Sequence, residues 1–517
     1  MLNLAIIYHM HQPYYKNLLT GESDLPWVRL HGVKDYLDMV QLLEKFPQVK
    51  LTFNVVPSLF EQIEGYNHTG LTDKYLELSR KPVERLSKAD KEFILQNFFS
   101  INKEKVIAFS PRYYQLYFKK QSRQEFTLAD YLDLQVCFNL FWIDPSFRKN
   151  IPELRSIVHK ERFFSENDKQ IVLGQQLEIL KGIIPAYKKA QSSGQIEISL
   201  TPYYHPILPL LYDTHIAKEA NKKTILPKEK FNYPQDAKYQ IDSAIEFYKQ
   251  RFDTAPLGMW PSEEGVSEHI LPDIIESGIK WIVADEAILF KSLKLKKRDT
   301  KLLYQPHLLK RKQGQLNIVF RDRNLSDLIG FVYHGMKEVD AVNNFMMHLE
   351  NINKAFSAKD KKDILVTIAL DGENAWEFFR NDGGDFLELF YQRISQADFV
   401  KTTTVSDYLK INPASSQIKR LSAGSWIYGE FGKWIGNAYK VKAWEWLAQA
   451  RQAIEKTQQP GELAWKQMYI LEGSDWFWWA GEDPDGSFDR LFRLHLTNFY
   501  QLINQEPPAY LLRPLTS

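Results

Sequence analysis

The chain has 517 residues, 44% of them hydrophobic and 25% charged, with a formal net charge of +2. That length exceeds one compact core, the composition excludes a disordered chain, and the scattered basic residues exclude an electrostatic nucleic-acid binder. The single cysteine, Cys137, excludes an intramolecular disulfide and a thiolate metal cluster, so a reducing cytoplasm fits.

In chain order, the apolar run 2–9 lacks a basic leader and a small-residue cleavage site and leads straight into polar residues. It predicts a first strand and not a signal peptide. No run approaches the ~18 apolar residues of a membrane span. Short apolar runs with β-branched residues predict further strands at 49–56, 195–200, 256–260, 281–284, 317–321 and 364–370, with 400–403 as a weaker eighth. Amphipathic stretches such as 237–252 and 341–356 lie between them. Strands alternating with helices indicate a parallel sheet, and seven or eight such units indicate a barrel. An open doubly wound sheet would carry a glycine-rich phosphate loop, and neither a G-x-G-x-x-G nor a Walker sequence occurs. The interval 57–194 lacks strand signals and reads as helices inserted between the second and third strands. After about Gly424 the strand signal stops, and 439–456, 462–471 and 488–503 read as helices. The division expected is a barrel over 1–410 with a helical insertion at about 58–193, then a C-terminal helical domain over 411–517.

Catalytic groups of such barrels sit where strands end. The first strand ends in His9-Met10-His11-Gln12-Pro13. The third carries Glu197 and runs on to Tyr203-Tyr204-His205-Pro206. The fourth ends in Gly258-Met259-Trp260-Pro261-Ser262-Glu263-Glu264 and the fifth in Asp285-Glu286. The sixth ends in Arg321-Asp322-Arg323, and the seventh in Asp371-Gly372-Glu373-Asn374-Ala375-Trp376. Carboxylates, histidines and tryptophans converge without a Ser-His-Asp or Cys-His pattern, which is what glycosidic-bond cleavage needs. One carboxyl must donate a proton to the leaving oxygen while the other attacks the anomeric carbon, and a facing pair splits its pKa values to supply both states. Carboxylates after strands four and seven are the candidates. Asp371-Gly372 could instead be a tight turn, and Glu263 could cap a helix. Aromatic residues reach 14%, 13 of them Trp, and a sugar ring stacks its C–H face on such side chains. His9 and His11 share a strand face and could chelate, but no two histidines stand at helical metal-ligand spacing. The expected site therefore holds no metal and no cofactor.

These motifs, in this order, resemble glycoside hydrolase family 57, a family of α-glucan hydrolases, amylopullulanase-like enzymes, 4-α-glucanotransferases and branching enzymes. His11-Gln12-Pro13 resembles its first motif, Gly194–Glu197 through His205-Pro206-Ile207 its second, and Gly258 to Glu263 its third. Asp371-Gly372-Glu373-Asn374 resembles the fourth, and Gly424-Ser425-Trp426-Ile427 with Trp434-Ile435-Gly436 the fifth. Ser474-Asp475-Trp476-Phe477-Trp478 is similar to a C-terminal segment that reaches the family's site. The resemblance implies an incomplete (β/α)7 TIM-like barrel with an all-helical C-terminal domain. It implies a retaining double displacement on α-glucans, with Glu263, and not Glu264, as nucleophile and Asp371 as acid/base. It further implies that His11, Glu197, His205, Trp260, Trp426, Asp475 and Trp478 bind an oligo- or polysaccharide substrate. The alternatives are a metal-dependent carbohydrate deacetylase or mannosidase on a related barrel, and a non-catalytic glucan-binding protein.

Overall fold

Every residue of β1 (Leu2–Met10) is buried, as befits a parallel strand covered on both faces. Its side chains separate by parity. Leu4, Ile6, Tyr8 and Met10 join the large core under the helices, whereas Ala5 and Ile7 join a small cluster with Trp281, Val283, Val319, Leu365 and Ala369. That small cluster fills the interior of a barrel, because inward and outward positions alternate along every strand. The structure, a computed structural model, describes residues 2–356, 364–373 and 375–516.

The other strands are β2 (Leu51–Val55), β3 (Ile196–Leu200), β4 (Gly258–Met259), β5 (Trp281–Asp285), β6 (His307–Arg311), β7 (Gly314–Arg321), β8 (Leu365–Asp371), β9 (Val400–Thr402) and β10 (Ser416–Gln417). Seven of them run parallel in the order β1-β2-β3-β4-β5-β7-β8, and β8 returns to β1. The β7–β8 seam is thin: one register pair, Arg321↔Thr367, extended by the Asp322 amide on the Thr367 carbonyl at 2.8 Å. The sequence-predicted seven-stranded parallel barrel is thus present, closed weakly on one side.

Two strands escaped the sequence pattern. β6, His-Leu-Leu-Lys-Arg, forms an antiparallel hairpin with β7 outside the ring, and β10 extends that flap. Their residues are half polar because only one face is covered. The weak eighth strand exists as β9, but it pairs with Leu2–Leu4 at the foot of β1, where β2 does not reach, and adds no barrel stave. β4 is shorter than predicted. A Cβ on its Gly258 would lie 2.1 Å from the Trp281 ring, so glycine is what lets this strand pass that indole.

Between β2 and β3 the chain is helical from Pro57 to Ser192, ending in the long helix Glu166–Ser192 with a Ser165–Asp168 capping box. The C-terminal helices Ala438–Lys456, Glu462–Leu471 and Ser487–Leu502 lie within one residue of their predicted bounds. Before them the chain crosses back over the barrel, where Gly424 bridges Val266 and the Trp426 amide donates to the Glu263 carbonyl at 3.1 Å. Among the described residues no helix is long and apolar enough to cross a membrane.

Candidate active site

Inward positions turn polar at the C-terminal ends of the strands: His9 on β1, Asn54 on β2, Asp285 on β5, Arg321 on β7 and Asp371 on β8. Loops beyond the strands add His11, His205, Glu263 and Glu373. A buried hydrogen-bond chain organises one side. The Asn54 amide nitrogen donates to Ser199 Oγ, which turns its oxygen toward His9 Nδ1 at 2.6 Å. His9 Nδ1 therefore carries the proton, and His9 Nε2 accepts from His205 Nε2 at 3.1 Å. His205 Nδ1 is then the acceptor for Ser474 Oγ at 2.7 Å. Both rings are neutral in this chain, in keeping with burial and neighbouring histidines, which push His9 down to about 3 and His205 well below the usual range. His11 stacks on His205 with ring centroids 3.8 Å apart, and its Nε2 donates to Asp475 at 3.0 and 3.1 Å. His11 Nδ1 is buried without a hydrogen-bond partner.

Glu263 follows β4 in a tight turn, Ser262–Glu264, in which Glu263 and Glu264 both adopt left-handed backbone, φ 59° and 52°. Non-glycine residues enter that region at a cost and persist where their surroundings enforce it. The turn sends the two carboxyls apart. Glu263 Oε2 accepts from Trp426 Nε1 at 2.7 Å, while Oε1 lies 4.0 Å from His205 Nδ1 and makes no hydrogen bond to a described residue. Burial first, then the charge of Asp371, holds the Glu263 carboxyl well above its ordinary range, opposed by the Trp426 bond and by Lys433. Glu264 turns inward, fully buried, toward Arg321 and Asp285, and neither of its oxygens has a hydrogen-bond partner. So the left-handed turn, and not alternation along an extended strand, gives the two carboxyls different surroundings, Glu263 beside Trp426 and His205 and Glu264 beside Arg321 and Asp285.

Asp371 ends β8 opposite His9 in the register. It lines a cavity of about 300 Å³ with Arg321, Phe331, His334, Phe378 and Trp426. Trp426 joins the two carboxyls, walling the Asp371 cavity with its ring and bonding Glu263 with its nitrogen. Gly372 is required behind Asp371, since a Cβ there would fall 2.3 Å from Met10 sulfur. Glu373 clamps the first motif: its Oε1 accepts from the His11 amide at 3.1 Å and from Gln12 Nε2 at 3.4 Å. Asn374, the last residue of the fourth motif, lies outside the described residues.

The C-terminal segment docks through Ser474, whose amide donates to the His205 carbonyl at 2.9 Å and delivers Asp475 to His11. Trp478 is half-buried, 5.6 Å from Trp434 by ring centroids, with Lys433 Nζ 4.5 Å above its ring. The same Lys433 acts electrostatically on Glu263, which sets Trp478 at the edge of the site.

Two expected binders lie elsewhere. Glu197 shares its register level with Thr52 and Ile7, below the His9–Asn54 level. Its carboxylate there accepts from Trp281 Nε1 at 2.9 Å, Ser406 Oγ at 2.5 Å and the Ser406 amide at 3.0 Å. It plugs the barrel floor. Trp260 is fully buried, stacked beneath His9 at 4.9 Å and edge-on to Trp426 at 5.6 Å, so it supports the site without opening onto it. Sequence reasoning missed the His9–Asn54 bond, the docking role of Ser474, Lys433, and the cavity residues Phe331, His334 and Phe378. Ser474 opens the C-terminal motif and His9 ends the first strand, so both were within reach; Asn54, Lys433 and the cavity residues carry no spacing signal.

One histidine–carboxylate group has the makings of a metal site: His11, His205 and Asp475 each offer a ligand atom within 4.8 Å of the others. It is not the His9–His11 pair that spacing suggested. Three of its four ring nitrogens are already engaged, those of His205 with His9 and Ser474 and His11 Nε2 with Asp475, while His11 Nδ1 has no partner.

A sequence profile of glycosyl hydrolase family 57 matches residues 5–420. The chain belongs to this family. Its family 57 fold is shared with a branching enzyme from Pyrococcus horikoshii, at TM-score 0.61 and 16% identity, covering 97% of this chain and 89% of that one. It is shared also with the α-amylase AmyC of Thermotoga maritima, at TM-score 0.60 and 13% identity, covering 97% and 93%. Alpha-amylase 1 of Dictyoglomus thermophilum is 30% identical over 106 residues, which span 20% of this family 57 chain and 12% of that protein.

Proposed function

We propose that this family 57 protein is a retaining glycoside hydrolase or transglycosylase acting on α-glucans, with Glu263 as nucleophile and Asp371 as acid/base. The observation that carries this reading is the asymmetric environment of Glu263. Trp426 fixes Oε2 and favours the ionised form, Oε1 has no hydrogen bond to a described residue, and Asp371 lies within electrostatic reach. Two carboxyls that raise each other's affinity for a proton share one, which is the state a double displacement starts from. Asp371 gives its proton to the glycosidic oxygen as the C1–O bond breaks and its electron pair leaves on that oxygen. Glu263 Oε1 closes on C1 from the opposite face, forming a glycosyl ester. Water or a sugar hydroxyl then loses its proton to the Asp371 carboxylate and attacks C1, and the ester bond returns its pair to Glu263. Two inversions leave the anomeric configuration retained.

The substrate contacts in this reading are His11 and Asp475, which bind hydroxyls of the sugar at the scissile bond, and Trp426 and Trp478, which flank it. His205 backs Glu263. Residues 1–410, with the insertion at about 58–193, form the catalytic barrel, and 411–517 supply Trp426, Asp475 and Trp478. His11, His205 and Asp475 favour a second reading, a metal-dependent carbohydrate hydrolase, in which an ion would take the place of the His11–Asp475 hydrogen bond and of one of those that His205 makes to His9 and Ser474. One experiment separates the two: product analysis on maltooligosaccharides, amylose and pullulan, followed by NMR, with and without chelator. The expected result is an α-configured first product, by hydrolysis or transfer, at a rate the chelator leaves unchanged. An inverted product, or loss of activity that zinc restores, overturns the double displacement proposed here.

A further inference from the structure

A second cavity, of about 360 Å³, shares no lining residue with the one at Asp371. It lies between the helical insertion and the loop that follows β8. Lys105, Arg148 and Arg380 line it, and among the described residues none of the three has a carboxylate within ion-pair distance. Arg148 is mostly buried. Its Nε donates to the Ile143 carbonyl at 2.8 Å and its guanidinium lies 5.1 Å over Phe141, and neither terminal nitrogen has a hydrogen-bond partner among the described residues. The other cations of the lining are satisfied, Arg112 by Asp130 and Asp133 and Lys34 by Asp35 and Asp382. Burial pulls the Arg148 guanidinium below its usual range, opposed by the charges of Asp144 and Asp382, neither of which comes within ion-pair distance of it. Such a group awaits an anion. The apolar wall is aromatic: Phe141, Phe379 and Phe109, the last 73% exposed at the mouth.

The loop after β8 carries a second sign. Asn381 and Asp382 are both left-handed, φ 47° and 54°, and strain of that kind gathers at ligand clamps. One stretch of chain serves both cavities, with Ala375 and Phe378 facing the Asp371 side and Glu377, Phe379 and Arg380 facing the other. Asp371 begins that stretch.

We propose that this cavity binds a phosphorylated hexose, its phosphate between Lys105, Arg148 and Arg380 and its sugar face on the phenylalanines. Guanidinium forks match phosphate oxygens, and aromatic faces match pyranose C–H surfaces. The phosphate monoester can belong to a free hexose phosphate or to a residue of a glucan chain. Either occupant would brace the loop that follows Asp371.

The test reads binding and needs no turnover, so it stands or falls apart from the catalytic assignment. Calorimetric titration of the full chain with glucose 6-phosphate, with glucose and inorganic phosphate as controls, runs beside affinity electrophoresis in gels of phosphorylated and enzymatically dephosphorylated amylopectin. The expected result is saturable binding of glucose 6-phosphate tighter than either control, or retardation that depends on the glucan phosphates. The first outcome assigns a free ligand and the second a polymer-borne one. Arg380→Gln, at an exposed position that leaves folding intact, should weaken the observed binding about tenfold or more. Arg148→Gln should do the same with far-ultraviolet circular dichroism unchanged. No binding in either arm up to millimolar ligand, or binding that Arg380→Gln leaves unaltered, overturns the proposal.

Discussion

Two groups of carboxylates stand on the same barrel rim, and they differ in what holds them. On the β5–β7 side, Asp285 caps the next helix through the Ala287 amide at 2.8 Å and is gripped by Arg323. Its neighbour Asp322 accepts from Leu325 N at 3.0 Å, Arg298 Nη2 at 2.8 Å and Tyr304 OH at 2.6 Å. Glu263, after β4, has one indole donor, a neutral histidine and a second acid as company. Strand-end position alone therefore does not distinguish a catalytic carboxyl from a structural one. The distinction lies in the counter-charge. The guanidinium-bound carboxylates are held by counter-charge and several hydrogen bonds, whereas Glu263, buried beside another acid, has its affinity for a proton raised and one oxygen without a hydrogen bond to a described residue.

The strongest way to break this comparison is to neutralise one member of each group. Glu263→Gln should lower kcat on a glucan substrate by roughly 10⁴-fold or more with little change in melting temperature, because an amide cannot form the glycosyl ester. Asp285→Asn should do the reverse. It strands Arg323 and the neighbouring Arg321 beside a neutral amide, costing about 3 kcal/mol of stability while leaving a measurable rate at low temperature. Denaturant melts and initial rates on the two variants decide the matter. Were Asp285→Asn the inactive, stable variant, the rim would have been divided wrongly.

The barrel was legible because parallel strands covered on both faces read as continuous apolar runs, and β1, β5 and β8 do so. The flap β6–β10 was not, since a one-sided hairpin with Lys310 and Arg311 outward carries no such run. Within the site, Glu263, Asp371, His11 and Asp475 came from motif order, and the structure gathers them. Glu197 and Trp260 sit inside the same motifs, yet motif membership does not say at which level of the barrel a side chain lies. Their levels follow from strand register, which no local pattern encodes. The His9–His205–Ser474 chain joins residues up to 269 positions apart, and only the fold could assemble it.

A smaller effect sharpens the comparison at one bond. Trp426→Phe keeps the ring that walls the cavity and removes the donor to Glu263 Oε2. A hydrogen bond to a charged group is worth about 1.5–3 kcal/mol, so kcat/KM should fall roughly 10- to 100-fold. The sign of the pH effect follows from which form the indole favours. It stabilises the carboxylate, so its loss raises the Glu263 pKa further, and the acid limb of the kcat/KM profile must move to higher pH. An unmoved limb with the same fall in rate would mean that Trp426 acts by packing alone.

The smallest effect concerns Glu264, the carboxyl next to the proposed nucleophile in sequence. It is fully buried, lacks hydrogen-bond partners, and is held well above its ordinary range, by burial first and by Asp285 against the opposing pull of Arg321. A carboxyl whose folded-state pKa is raised contributes stability that is complete below the unfolded value and is lost as pH rises through the folded one. Glutamine mimics the neutral acid and cannot ionise. Glu264→Gln should therefore match the parent in acid and gain on it as pH rises, by roughly 2 °C in melting temperature between about pH 5 and about pH 9. Activity should stay within a few-fold, because Glu264 faces Arg321 and not the cleft. A flat difference in melting temperature across that range would mean that Arg321 keeps Glu264 ionised throughout. Glu264 would then belong with Asp285 among the carboxylates fixed by counter-charge, and the line dividing the rim would run between two adjacent residues of one turn.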